Sequence, residues 1–177
     1  MKGRYGQSDR ILDAGCGGGR NLHWFLQNDH LIYGVDRDED SIRQLQSSYP
    51  SLSERFRQAP VEELPFADNY FDHVISSAVL HFAESTSHFH RMLAEMLRVL
   101  RPGGSLFIRM TSDIGIEDHV QPIGDGVYLL PDGSRRFLLT RPLLAGMVQQ
   151  HKVSLLEPLK TVNVSDMRCM STLVAAK

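Results

Sequence analysis

The run Ile11-Leu12-Asp13-Ala14-Gly15-Cys16-Gly17-Gly18-Gly19-Arg20-Asn21 constrains this chain most. Apolar residues lead directly into a glycine cluster, and a helical pattern with Leu22, Phe25 and Leu26 on one face follows. A strand that turns sharply into a helix needs residues able to fold back tightly, and glycine lets the backbone approach a ligand without Cβ collisions. The next apolar stretch, Leu31 to Val35, ends at Asp36, 23 residues after Asp13. In open α/β sheets ligands bind beyond the carboxyl ends of the strands, and an acid at the second strand end can accept hydrogen bonds from ribose hydroxyls.

The rest of the chain keeps this rhythm. Asp38 or Asp40 can cap a helix carrying Ile42 and Leu45 that stops before Pro50. Phe56 to Gln58 reads as a weak third strand and Phe71 to Val79 as the fourth. Ser85 to Leu100 is the strongest helix, with Phe89, Met92, Leu93, Met96, Leu97 and Leu100 at helical spacing. Arg101-Pro102-Gly103-Gly104 is expected to end it as a glycine stop, and Ser105 to Met110 is a further strand. Thr111 to Arg141 breaks the alternation and reads as an irregular insertion, a candidate substrate cover. Leu143 to Gln150 suits a short helix. Lys152 to Val164 and Arg168 to Ala175 suit two strands joined near Ser165-Asp166. The expectation is a single α/β domain over 1–177: a doubly wound, Rossmann-like, mostly parallel sheet with helices on both faces and an antiparallel C-terminal strand pair.

Composition narrows the class. With 177 residues and a net charge of −2 there is no general pull toward nucleic acid or anionic membrane. Two cysteines, Cys16 and Cys169, make no disulfide framework, which points to a reducing cytoplasm. Met1 to Arg10 is polar and lacks the apolar centre of a secretory leader. No apolar run approaches a membrane span.

The glycine loop does not fit the dinucleotide fingerprint, whose last small position falls on Arg20, nor does it contain the G-K-[ST] of a P-loop. A carboxylate at Asp13 suits a cationic ligand better than a pyrophosphate. A nucleotide-dependent oxidoreductase is therefore disfavoured.

With Gly34-Val35-Asp36, Val61-Glu62-Glu63-Leu64-Pro65-Phe66, Phe71-Asp72-His73-Val74-Ile75, Val79-Leu80-His81-Phe82 and Leu100-Arg101-Pro102-Gly103-Gly104, the loop resembles the ordered motifs of class I S-adenosylmethionine-dependent methyltransferases, in particular the UbiE- and TehB-like enzymes acting on small molecules. The resemblance covers Ile11 to Met110 well and the last strands loosely. It implies S-adenosylmethionine as cofactor and S-adenosylhomocysteine as product. It also implies roles. Asp13, Gly15, Cys16, Gly17 and Arg20 would surround the methionine half, with Ser77 toward its amine. Asp36 would hold the ribose and Arg37 would lie beside the adenine, whose edge Val61 and Glu62 would meet. Many relatives carry an aspartate where this chain has Pro60, so adenine selection would fall to backbone contacts or to Glu62. Only ten residues precede the first strand. The cover found in relatives is then missing, or is supplied by Thr111 to Arg141, by a partner chain, or by a longer protein of which this is a piece.

Methyl transfer from a sulfonium is an in-line displacement with a neutral leaving group, so positioning does most of the work, about 7–11 kcal/mol in favourable cases. A base is needed only when the nucleophile must lose a proton. His81 is the candidate base, with a structural role for the loop as the alternative. Tyr128, His119 and Arg109 are weaker candidates for substrate contacts. Arg135, Arg136 and Arg141 form the one local basic cluster, which a phosphate or carboxylate could use. His88 and His90 do not face each other on a helix, and no cysteine or carboxylate cluster completes a metal site, so a solvated helix face is expected there. Asp72 is read as structural. The leading reading is an enzyme with a small-molecule acceptor, with nucleic acid disfavoured and a homodimer compatible. The alternative is a non-catalytic cofactor-binding module or a subunit of a partner methyltransferase.

Overall fold

A computed structural model describes residues 5–177, so the first four residues of the polar N-terminal segment lie outside the described residues. The main sheet has eight strands. They are β1 (Arg10–Ala14), β2 (Leu31–Asp36), β3 (Phe56–Gln58), β4 (Phe71–Ser77), β5 (Leu100–Ser112), β9 (Ser154–Leu155), β10 (Lys160–Val164) and β11 (Arg168–Ala176). Their order is β10-β11-β5-β4-β1-β2-β3, with β9 paired to β11. β1 to β5 run parallel to their neighbours, whereas β11 is antiparallel to β5 and β10 to β11. The doubly wound topology and antiparallel C-terminal pair match the expectation.

Period-two alternation along each strand divides the core. Ile11, Ile32 and Ile75 pack against Leu22 and Phe25 of α1 (Leu22–Gln27) and Ile42 and Leu45 of α2 (Glu39–Ser48). Leu12, Val35, Val74, Leu106, Ile108 and Leu173 face the other way. They meet Phe89, Met92, Leu93, Met96 and Leu97 of α3 (Thr86–Val99) and Met147 of α4 (Arg141–His151). Each core side chain of this size removed from water stabilises the fold by about 1.5–3 kcal/mol. Asp38 caps α2 by accepting from Ser41 N at 3.0 Å, Ser85 caps α3 from His88 N at 3.1 Å, and Thr140 caps α4 from Leu143 N at 3.1 Å.

Three expectations need correction. First, α3 does not end on a glycine stop. Leu100 is already extended (φ −79°, ψ 131°) and opens β5, and Gly103 (φ +74°) lies within that strand beside the register shift between β4 and β5. Second, Thr111 to Arg141 is not wholly irregular. Thr111 and Ser112 complete β5, and a small antiparallel sheet follows: β6 (Gln121–Pro122), β7 (Val127–Leu129) and β8 (Arg135–Phe137). It is pinned by Phe137, buried at 1%, which stacks on Phe89 of α3 at 5.1 Å. Third, Lys152 to Val164 holds two short strands, not one.

Candidate functional site

Two clefts meet at the carboxyl ends of β1, β2 and β4. One, of about 280 Å³, includes Arg37, Pro60, Val61, Glu62, Phe82 and His88 in its lining. The other, of about 420 Å³, includes Cys16, Gly17, Arg20, Asn21 and Ser77. Gly15, Asp36 and Ala78 belong to both. The glycine loop can lie here because Gly15 adopts φ +85°, and a Cβ at that position would collide with Val79.

Asp36 ties the loop to the second strand. Its Oδ2 accepts from Gly17 N at 2.7 Å and its Oδ1 from Asp38 N at 2.9 Å. Each oxygen keeps a second lone pair, so the half-buried carboxylate can still accept from a ligand's hydroxyls. Asp13 lies underneath, fully buried, and neither carboxylate oxygen has a hydrogen-bond partner. Burial is the main reason its carboxyl is pushed up to about 7; the neighbouring Asp36 adds to this, while Asn21 and Arg20 oppose it. Cys16 is buried against Gly34, and burial raises its thiol far above the ordinary range, which suits a packing role.

Of the residues expected to contact a cofactor, Gly15, Cys16, Gly17, Arg20, Asp36, Arg37, Val61, Glu62 and Ser77 all line one cleft or both. Asp13 lines neither, and nor does His81, the candidate base. His81 is buried. Its Nδ1 receives the Thr111 backbone N–H at 3.3 Å and lies 2.9 Å from Thr111 Oγ1. An acceptor at Nδ1 leaves the proton of the neutral ring on Nε2. Burial, then Arg136 and Arg109, lowers the imidazole to about 4. A ring with its free lone pair occupied and so low an affinity for protons is poorly suited to general-base work.

His88 and His90 are corrected as well, because both are half-buried and partnered. His88 Nδ1 receives Glu84 N–H at 3.3 Å, and its Nε2 lies 3.3 Å from Glu62 Oε1 inside the first cleft. His90 Nδ1 lies 3.0 Å from His151 Nε2 of α4. The period of α3 gives a residue's face but not what meets it, so these partners were not readable beforehand.

Two further residues escaped the sequence reading. Ala78, at the turn after β4, has φ +64° and donates its N–H to Arg109 O at 2.7 Å. A left-handed alanine carries backbone strain of about 1–3 kcal/mol, and such strain collects at functional sites. Arg98 fastens the 64–68 loop to α3. It bonds Leu64 O, Phe66 O, Asp68 and Glu95, all at 2.7–2.9 Å. That loop continues directly from the Val61-Glu62 wall of the cleft. Asp72 is structural, as expected: it accepts from Arg10 N at 2.8 Å and Arg101 Nε at 2.5 Å.

Comparison with known proteins decides the family. A model described as "Methyltransferase domain" matches residues 12–108, more than half the chain. The chain belongs to this family. An uncharacterized methyltransferase of Bacillus subtilis is 37% identical over 112 residues, which are 60% of this chain and 42% of that protein. A phthiotriol/phenolphthiotriol dimycocerosates methyltransferase of Mycobacterium ulcerans is 34% identical over 99 residues, 55% of this chain and 35% of that one. The chain thus spans about two fifths or less of the length of these curated relatives. Among solved structures, a SAM-dependent methyltransferase of Methanosarcina mazei superposes with a TM-score of 0.79 at 20% identity, covering 98% of this chain and 94% of that one. A 1,6-didemethyltoxoflavin-N1-methyltransferase of Burkholderia thailandensis, solved with its substrate and S-adenosylhomocysteine, gives 0.74 at 23% identity, covering 97% and 72%. These likenesses support the Rossmann-like fold. Among the described residues, no helix is long and apolar enough to cross a membrane, and no three or more His, Cys, Asp or Glu cluster as metal ligands.

Proposed function

We propose that the chain binds S-adenosylmethionine across the two clefts and transfers its methyl group to a small-molecule acceptor. The observation that carries this reading is Asp36, anchored by Gly17 N–H and exposed to both clefts. A nucleoside whose ribose straddled Asp36 would send its base toward Arg37, Val61 and Glu62. Its amino-acid tail would run toward Gly17, Arg20 and Ser77.

The residues present fit the cofactor. The partnerless oxygens of Asp13 suit the field of an ammonium, while Gly15, at φ +85° and closed against Val79, lets the loop turn where a side chain could not. The cofactor supplies an electrophilic methyl on a sulfonium. The protein's part is to hold donor and acceptor in line and exclude water, which needs no catalytic dyad. The net charge of −2 favours a small acceptor over nucleic acid. The scarcity of cysteines favours the cytoplasm.

The test is calorimetric titration of the purified chain with S-adenosylhomocysteine, with NAD as control. Micromolar binding of the first and none of the second is expected, and Asp36→Ala should weaken it at least tenfold, on the order of the 1.5–3 kcal/mol of hydrogen bonds to a charged group. Binding of NAD, or an unchanged Asp36→Ala, would overturn the assignment. Consumption of S-adenosylmethionine in an extract of acceptors then separates a methyltransferase from a module that only holds the cofactor.

A further inference from the structure

The end of β5 gathers hydrogen-bond donors with little to receive them. Arg109 pairs in register with Ser77, which lines the second cleft, so its side chain stands on the same sheet face as that serine. Arg136, on β8, lays its guanidinium 5.1 Å over the ring of Phe82, a residue of the first cleft that is 52% exposed. His81 adjoins a neighbour of each. It precedes Phe82 and hydrogen-bonds Thr111, two residues along β5 from Arg109. Both guanidinium groups act on its ring electrostatically. The backbone N–H at Nδ1 leaves His81 with Nε2–H, again a donor.

Neither Arg109 nor Arg136 forms an ion pair among the described residues. Arg136 uses one N–H on its neighbour's carbonyl, Arg135 O, at 2.7 Å. The carboxylate that feels it, Asp132, is occupied by the backbone and hydroxyl of Ser134. Guanidinium groups present planar arrays of donors that match carboxylate and phosphate oxygens. Arg136 is also held over an aromatic face, which restricts its orientation.

The geometry points to an anion-binding subsite formed by Arg109, Arg136 and His81, which receives a carboxylate or phosphate of the methyl acceptor. This inference rests on the proposed methyl transfer, and it names the acceptor as an anionic small molecule. The aromatic face of Phe82, at the mouth of the cofactor cleft, would lie under the acceptor's apolar part. His81 would then be a donor to substrate and not the base that its position first suggests.

The test is NMR observation of the His81 ring proton, assigned by its loss in His81→Gln. The probes are inorganic phosphate and benzoate, with sodium chloride as an ionic-strength control. A saturable shift with phosphate or benzoate but not with chloride is expected, and the stronger probe identifies the anion class. It should weaken at least tenfold in Arg109→Gln/Arg136→Gln, while S-adenosylhomocysteine binding stays within twofold. A shift no larger than that with chloride, or one unaltered by the double substitution, overturns the subsite. If the wild-type chain does not bind S-adenosylhomocysteine at all, the methyl-transfer reading fails, whatever the anions do.

Discussion

His88 Nε2 and Glu62 Oε1 lie 3.3 Å apart across the first cleft, joining α3 to the segment that follows β3. Glu62 and Asp36 are the two carboxylates in that lining, and Asp36 already receives two backbone N–H groups. Pro60 offers no carboxylate, so Glu62, which faces His88, is the acceptor the first cleft would offer an exocyclic amine on a bound purine. Glu62→Ala should erase preference for S-adenosylhomocysteine over its inosyl analogue. His88→Ala should reduce that preference by less than Glu62→Ala does, because His88 acts only as a neighbour of the Glu62 carboxylate at 3.3 Å. The two dissociation constants measured side by side decide it; an unchanged ratio in both variants removes Glu62 from base selection.

Asp13 should make cofactor binding pH-dependent. Its carboxyl is raised to about 7 in the folded chain from an ordinary 3.8. The raised value means that the folded state holds this proton where the unfolded chain has lost it. Its stabilising contribution is therefore full below about pH 4 and is lost as pH climbs to about 7. An ammonium bound nearby favours the carboxylate and expels the proton. Titrations of S-adenosylhomocysteine at pH 6 in two buffers of different ionisation enthalpy should show net proton release, with affinity rising toward pH 7. Asp13→Asn should flatten both effects, and a wild type already without buffer dependence would refute the coupling.

Arg98 should matter more to stability than its place on a helix surface suggests. Replacing it with alanine leaves the carbonyls of Leu64 and Phe66 and the carboxylates of Asp68 and Glu95 without their shared donor. A loss of about 1.5–3 kcal/mol is expected, the range for charge-assisted hydrogen bonds. Arg98→Lys should recover only part of it, because an ammonium cannot reproduce the planar fork. Chemical denaturation checks both variants.

Gly15→Ala tests the loop itself. A Cβ at φ +85° costs about 1–2 kcal/mol in backbone strain and also displaces Val79 from the wall of the cleft. S-adenosylhomocysteine affinity should fall at least tenfold while the far-ultraviolet circular dichroism is preserved. Undiminished binding would show that the ligand lies elsewhere.

The parallel frame was legible because β1, β2, β4 and β5 each carry several apolar residues, and α3 shows its stripe over four turns. The glycine loop and Asp36 were legible because a strand end, a tight turn and an acid recur at fixed spacing. The small sheet β6 to β8 was not, since strands of two or three residues offer no alternation to read. Gly103 misled for a local reason. Its positive φ suits a helix stop and a strand irregularity equally, and only the register of β5 beside β4 separates the two. The partners that His88, His90 and Arg98 find outside α3 and its cap lie 26 to 61 residues away, and helical period carries no information at that range.

The sharing of Gly15, Asp36 and Ala78 by both clefts has a consequence for how this protein can diverge. A substitution at any of the three alters the walls of both clefts together, and so, on the proposed mode of binding, the places of base and tail at once. Adjustments confined to one end must come from the unshared walls: Arg37, Glu62 and His88 on one side, Arg20 and Ser77 on the other. Redesign toward an altered cofactor therefore has two independent dials and a hub that cannot be turned alone.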